Sequence, residues 1–137
     1  MGDVLLWRWS APLPHLEALH PATQALLPVL AAVPELADFY AAGSAALALH
    51  LGHRPVRDLD LMSGSNRLRS PDRRDLLADL LAVDPELRVE TARDGYLFAR
   101  SGAGVGLKFF HYPYPLIGPE FEVQGLGVAA LLDLGLM

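Results

Sequence analysis

The chain has 137 residues, enough for one domain with a hydrophobic core and too few for two. Hydrophobic residues make up 52% of it, which excludes a disordered chain, and no apolar run reaches the roughly 18 residues that cross a bilayer. The formal net charge of −5 argues against broad, non-specific binding to a nucleic-acid backbone.

The sequence contains no cysteine, so disulfides and thiolate metal sites are excluded. The amino-terminal stretch Met1–Ser10 lacks the basic start and long apolar core of a signal peptide. We therefore expect a cytoplasmic protein with no membrane association.

The first half of the chain predicts helices and strands in alternation. Leucines at helical spacing within residues 15–33, interrupted by Pro21 and Pro28, predict two short helices or one kinked helix. Gly43-Ser44 then opens a short helix that ends at Gly52. This helix, Ala45–Leu51, lies between two predicted strands, Phe39–Ala42 before it and Val56–Met62 after it.

The second half predicts one longer helix followed by a meander of strands. Ser70-Pro71 supplies an N-cap and a first-turn proline for a helix that ends near Val83. The later elements are the strands Leu87–Ala92, Tyr96–Arg100 and Val105–Tyr112 and an amphipathic helix over Val128–Leu136. This order predicts a single α+β domain over residues 1–137, with a small mixed sheet of about four to five strands and helices packed on it.

Asp58 and Asp60 form an Asp-x-Asp pair on a predicted strand. Their side chains leave the same face, about 6.6 Å apart along the backbone, while Leu59 and Leu61 point into the core. Two carboxylates at this separation can share a divalent ion, and Mg²⁺ favours a few carboxylates together with phosphate oxygens and water. The alternative is a pair of exposed acids on a half-buried strand, since Asp-x-Asp is common.

Gly43 and Ser44 lie where a predicted strand leads into a helix. Such a turn aims free backbone N–H groups at one point, glycine lets a phosphate approach the backbone, and the serine hydroxyl adds a donor. The alternative is an ordinary helix cap. Because one short helix separates this turn from Asp58 and Asp60, the two elements together predict a phosphate site facing a metal site.

These residues resemble the nucleotidyltransferases related to DNA polymerase beta, which carry Gly-Ser or Gly-Gly followed by Asp-x-Asp. More narrowly, the chain is similar to the AbiEii toxin branch over about residues 34–137, including that branch's Phe-Phe-x-Tyr-Pro-Tyr-Pro-Leu at Phe109–Leu116. The other matching residues are Phe39-Tyr40, Ala42-Gly43, Ala46–Leu49, Leu51–Arg54, Asp58–Leu61, Val128-Ala129 and Leu132-Asp133.

The resemblance implies a minimal nucleotidyltransferase fold and transfer of a nucleotide from an NTP to an RNA, tRNA-like, or protein acceptor. It implies that Asp58 and Asp60 bind Mg²⁺ and are catalytic. The residues expected to bind the nucleotide phosphates are Gly43, Ser44, Arg54 and Lys108. It also implies a toxin with a cognate antitoxin protein.

The chain departs from the family's pattern at three places. Ala45 replaces a threonine, and Lys108 stands where the wider superfamily has a third carboxylate. The chain also ends at Met137, so we expect the family's C-terminal helical domain to be lacking and the last helix to expose an apolar face that could pair two copies. These departures leave open a catalytically degenerate relative that binds a nucleotide or a partner protein without turnover.

Overall fold

A mixed seven-stranded sheet forms the centre of the computed structural model, which describes residues 15–137. Its strand order is β3-β4-β5-β2-β1-β7-β6. The strands are β1 Phe39–Ala42, β2 Leu59–Ser63, β3 Arg88–Arg93, β4 Tyr96–Arg100, β5 Gly106–His111, β6 Phe121–Val123 and β7 Leu126–Val128. β1 pairs antiparallel with β2, whereas β2 with β5 and β1 with β7 are parallel pairs.

Four α-helices and two single 3₁₀ turns accompany the sheet in the described residues. The α-helices are α1 Pro21–Ala31, α2 Gly43–Leu51, α3 Ser70–Val83 and α4 Leu131–Leu136, and the 3₁₀ turns are Leu16–Ala18 and Pro34–Leu36. The prolines explain two of the helix starts, since Pro21 and Pro71 occupy first-turn positions where a missing N–H costs nothing. No helix within residues 15–137 has the length and apolar character to cross a membrane.

The two faces of the sheet differ in composition. Leu59, Leu61 and Ser63 of β2 are buried on one face, whereas Asp60 and Met62 are only partly buried on the other. The first face packs against leucines of α1, α2 and α3 to form the main core, in which Phe39 meets Phe109 edge-on at 5.6 Å. The second face is therefore left for polar side chains on the central strands.

Most predicted elements are found, with shifted ends. The strands Phe39–Ala42 and Tyr96–Arg100 match the prediction. The helix predicted to end near Val83 does end there, but Ser70 is its first residue and Arg69, not Ser70, is its N-cap. β2 begins at Leu59, because Val56 instead exchanges backbone hydrogen bonds with Ala18 and His20. The amino-terminal stretch Met1–Ser10 lies outside the described residues.

The predicted number of strands, four to five, was too low. The β6–β7 hairpin adds two strands at the sheet edge, and Val128 belongs to β7, so α4 begins only at Leu131. The hairpin turn has positive φ at both Gln124 and Gly125, the backbone that tight two-residue turns require. The signal in the sequence was Gln-Gly between two short apolar runs.

Helix α4 packs on the polar face of the sheet at its β1 side. A small second cluster there contains Tyr40, Ala42 and Ala129, with Leu134 packed against it. As expected for the last helix, Leu131 and Leu132 on α4 stay exposed.

Candidate functional site

The turn from β1 into α2 places Gly43 against Asp60. Ala42, the last residue of β1, pairs with Asp60 of β2, so the next residue lies beside that carboxylate. Gly43 has a φ of +59°, and a Cβ built on it would overlap the Asp60 carboxylate. Only glycine fits both the backbone conformation and the close approach.

Asp58 and Asp60 have different surroundings. Asp58 is exposed just before β2, and its Oδ1 accepts a hydrogen bond of 2.8 Å from the Gly106 N–H. Asp60 is half-buried, and its carboxylate has no hydrogen-bond partner within residues 15–137. Burial raises the pKa of the Asp60 carboxyl above its usual value; the Lys108 ammonium opposes this shift and the Asp58 carboxylate adds to it.

Lys108 lies directly beside Asp60 in the sheet. The parallel register of β2 and β5 pairs the two residues, and β4 places Phe98 on the other side of Lys108. The Lys108 Nζ lies 5.3 Å from the centre of the Phe98 ring, a cation–π distance. The strand next to the acids thus carries a cation, and no group of three or more His, Cys, Asp or Glu side chains suited to a metal occurs in the described part of the chain.

Arg54 reaches back to the start of α2. Its Nη2 donates a hydrogen bond of 3.2 Å to the Ser44 Oγ. The α2 N-terminus has no side-chain cap, so its first N–H groups remain available to a ligand. Ser44, Arg54 and the free end of the helix therefore form one potential anion-binding group.

The segment from Arg54 to Asp58 is tied to the rest of the fold. Val56 is bridged to Ala18 and His20, and the Thr23 hydroxyl donates to the Arg57 carbonyl. The Arg57 side chain meets His20, with Nη2 and Nε2 3.3 Å apart. These contacts fix the backbone on which Arg54 and Asp58 stand.

All these elements surround one cleft of about 480 Å³. It is lined by Ser44, Arg54, Pro55, Val56, Arg57, Asp58, Asp60, Arg100, Gly104 and Lys108. Five of the six predicted site residues line it, and the sixth, Gly43, contacts the Asp60 carboxylate from the turn. With four basic side chains and two carboxylates, the cleft favours an anionic ligand bound with a cation.

Sequence reasoning missed Arg100 and Gly104. Arg100 ends β4 and pairs with Gly106, so the β4–β5 hairpin turns its side chain toward the acids. The signal was present in the alternation of β4, where Phe98 and Arg100 share the face opposite the buried Leu97 and Ala99. The hairpin register needed to use that signal was not predicted.

Several polar side chains outside the cleft have structural partners. Arg67 pairs with Asp38, and His50 donates from Nε2 to the Ala129 carbonyl at 2.8 Å. Two acids of the β3–β4 hairpin are also engaged, Glu90 with Arg100 at 3.2 Å and Asp94 with Asn66 at 3.1 Å.

Comparison with known proteins identifies the fold. No protein-family model and no curated protein matches the sequence. Two solved structures are similar. One is a proposed nucleotidyltransferase from H. pylori, which is 16% identical and matches 81% of this chain with a TM-score of 0.51. The other is JHP933 from Helicobacter pylori, which is 15% identical and matches 88% of this chain with a TM-score of 0.52. The chain spans about half the length, 52%, of each. It therefore has a nucleotidyltransferase-like fold.

Proposed function

We propose that this chain is a Mg²⁺-dependent nucleotidyltransferase that moves a nucleotide from an NTP to an RNA or protein acceptor. The observation that carries the proposal is the meeting of Gly43, Ser44 and Arg54 with Asp58 and Asp60 around a single cleft. Either element alone has an ordinary structural explanation. Together they match the needs of a metal-bound triphosphate.

The donor set fits a magnesium ion. Asp58 Oδ1 is engaged by the Gly106 N–H, which orients that carboxylate and leaves Oδ2 without a hydrogen bond in the described residues. Asp60 is a partly desolvated carboxylate that lacks any hydrogen-bond donor there, an unfavourable state that a bound cation relieves. Asp58 and Asp60 would hold the ion.

The proposed chemistry assigns a role to each predicted residue. A bound Mg²⁺ supplies neutralisation of phosphate charge. The acceptor oxygen forms a bond to the α-phosphorus as the bond to pyrophosphate breaks, and the hydroxyl proton is lost to solvent. Gly43, Ser44 and Arg54 would stabilise the charge that grows on the leaving pyrophosphate, and Lys108, beside Asp60, would contact the phosphate being transferred.

We further place the protein, as a proposal, in the AbiEii toxin branch, with a cognate antitoxin and a cytoplasmic location. Support comes from the match over Phe39–Leu61, which folds as β1, α2 and β2 around the cleft. The exposed leucines of α4 are the surface where we expect a second copy to bind.

A second candidate function is nucleotide binding without turnover. The specific observation in its favour is Lys108, which places an ammonium in register with Asp60 on β5. An ammonium cannot ligate a metal ion, so catalysis would depend on one ion and fixed cations.

The first test is a thermal-shift titration of each NTP with and without Mg²⁺, repeated with Asp58→Ala and Asp60→Ala. We expect stabilisation only when nucleotide and Mg²⁺ are both present, about 2.7 kcal/mol at a hundredfold excess over Kd. Neither variant should show this gain, and both should remain folded because neither side chain belongs to the core.

Asp75→Ala, an exposed acid on α3, is the matched control and should respond like the wild type. Unchanged Mg²⁺-dependent stabilisation in both cleft variants would overturn the site. Binding without release of pyrophosphate, across a panel of RNA and protein acceptors, would favour the second candidate function.

A further inference from the structure

The basic side chains of the cleft lie on both sides of the two acids. Arg54 meets Ser44 at the start of α2, next to β1, whereas Arg100 is on β4. The strand order places β5 and β2 between β4 and β1. With about 4.8 Å between neighbouring strands, β1, which leads into Ser44, and β4, which carries Arg100, lie roughly 14 Å apart across the sheet.

Arg100 is held in a defined position. Its Nε donates to Glu90 at 3.2 Å, its Nη1 donates to the Gly104 carbonyl at 3.4 Å, and its guanidinium lies 5.4 Å from the centre of the Phe98 ring. Nη2 makes no hydrogen bond to any residue from 15 to 137. A guanidinium fixed in this way loses little side-chain entropy when its free N–H groups bind an anion.

The Phe98 ring is contacted by two cations. The Lys108 Nζ is 5.3 Å from the same ring, so Lys108 and Arg100 share it. Glu90 pairs with the Arg100 guanidinium, and the Lys108 ammonium makes no salt bridge within residues 15–137. This end of the cleft therefore carries positive charge that would attract an anion.

The geometry of phosphoryl transfer indicates which anion would bind at the Arg100 end of the cleft. Attacking and leaving oxygens lie roughly in line on opposite sides of the phosphorus. If the leaving pyrophosphate is held at Ser44 and Arg54, and the transferred phosphate lies at Asp60 and Lys108, the attacking group enters from the Arg100 side. An acceptor with phosphate groups of its own would meet Arg100 there.

We infer that Arg100 binds a phosphate of the second reactant, so the cleft selects a phosphate-bearing acceptor, a nucleic acid, over a protein hydroxyl. The identity of this reactant as an acceptor rests on the proposed function. The anion subsite itself rests on the contacts of Arg100 and is testable without turnover.

The experiment compares Arg100→Gln with Arg54→Gln and with the control Arg93→Gln. Arg93 ends β3, the strand that pairs with β4. Its guanidinium lies 4.6 Å from the centre of the Tyr96 ring and does not line the cleft. Binding of a labelled NTP with Mg²⁺ is measured first by fluorescence anisotropy. Competition by inorganic phosphate and binding of a labelled ten-nucleotide single-stranded RNA are then measured with the nucleotide site saturated by a non-hydrolysable NTP analogue.

We expect Arg100→Gln to weaken RNA binding by roughly tenfold or more, because it removes charge-assisted hydrogen bonds, and to change NTP affinity by less than about twofold. Arg54→Gln should show the opposite pattern, and Arg93→Gln should change neither. Inorganic phosphate that competes with RNA in the wild type but not in Arg100→Gln would assign the subsite to a single phosphate group.

Three outcomes would overturn the inference. Arg100→Gln weakening the NTP as strongly as Arg54→Gln would place Arg100 on the triphosphate, and equal RNA binding in wild type and Arg100→Gln would remove the subsite. Modification of a protein substrate with no RNA binding would assign a protein acceptor. If no NTP binds at all, the proposed function fails, and Arg100-dependent binding of phosphate and RNA to the protein alone still decides the subsite.

Discussion

Two acids that lose contact with solvent, in different regions of the molecule, differ in the hydrogen-bond donors that the fold supplies to them. In the C-terminal region, Asp133 on α4 is 4% exposed, and its two oxygens accept the N–H groups of Ile117 and Gly118 at 2.6 and 2.9 Å. In the cleft, Asp60 is less buried but has no hydrogen-bond donor within residues 15–137. Asp133 holds a loop to a helix, whereas Asp60 leaves its charge available to a ligand.

Burial alone therefore does not separate an acid that holds the fold together from one whose charge is open to a ligand. The useful quantity is the number of donors that the fold supplies to the carboxylate. An acid whose oxygens are all satisfied stabilises the native state, while one left without donors costs stability until a cation arrives. Three variants test this comparison.

The largest effect is expected from Asp133→Ala. Loss of the carboxylate leaves the N–H groups of Ile117 and Gly118 without their acceptor, which should lower the free energy of unfolding by about 3 kcal/mol. Urea denaturation measures the change, and Asp133→Asn should fall between the alanine variant and the wild type. A loss below about 0.5 kcal/mol would mean that Asp133 is not a structural acid.

Gly43→Ala should have the next largest effect. Alanine at a φ of +59° costs roughly 1–2 kcal/mol, and its Cβ displaces the Asp60 carboxylate, so Mg²⁺-dependent NTP binding should also be lost. Gly95→Ala is the matched control, since Gly95 has a φ of +76°, a Cβ there would meet only the His111 Cβ at an ordinary 3.9 Å, and Gly95 lies outside the cleft lining. Equal NTP binding by the two variants would contradict the close approach of Gly43 to Asp60.

The smallest effect is expected from Asp60→Asn, and its sign is opposite. Because burial raises the pKa of Asp60 in the folded state, the unionised form stabilises the fold at low pH, and this contribution is lost as pH rises through the folded-state pKa. At pH 7 without Mg²⁺, the asparagine variant should therefore be more stable than the wild type by about 0.5 kcal/mol.

Denaturant titrations at several pH values check this prediction. The advantage of Asp60→Asn should vanish at pH values well below about 3.9, the ordinary pKa of an aspartate, where the carboxyl is neutral in both the folded and the unfolded state. A variant that is less stable than the wild type at pH 7 would show that the fold does supply a partner to the Asp60 carboxylate.

Much of the site could be predicted because its chemistry is local in sequence. Gly43, Ser44, Asp58 and Asp60 are separated by one short helix, so strand period and helix-start signals were enough to bring them together. The sequence also shows a lysine, Lys108, at the position where a third carboxylate was expected. The register of β2 with β5 places this lysine beside Asp60.

Arg100 and the β6–β7 hairpin could not be predicted in the same way. Arg100 joins the cleft only through the pairing of β4 with β5 and of β5 with β2, two long-range registers that side-chain alternation does not fix. The hairpin strands have three residues each, too short for a periodic signal to stand out.

The sequence by itself determined the α+β class, the Gly43-Ser44 turn and the pair of acids at Asp58 and Asp60, because each depends on the backbone preferences and spacing of neighbouring residues. Only the tertiary structure decided that Asp60 lacks a hydrogen-bond donor among residues 15–137 and that Arg100 is fixed at the far side of the cleft. The groups that surround these two side chains belong to strands distant in sequence, so their positions depend on how the strands of the whole sheet pair.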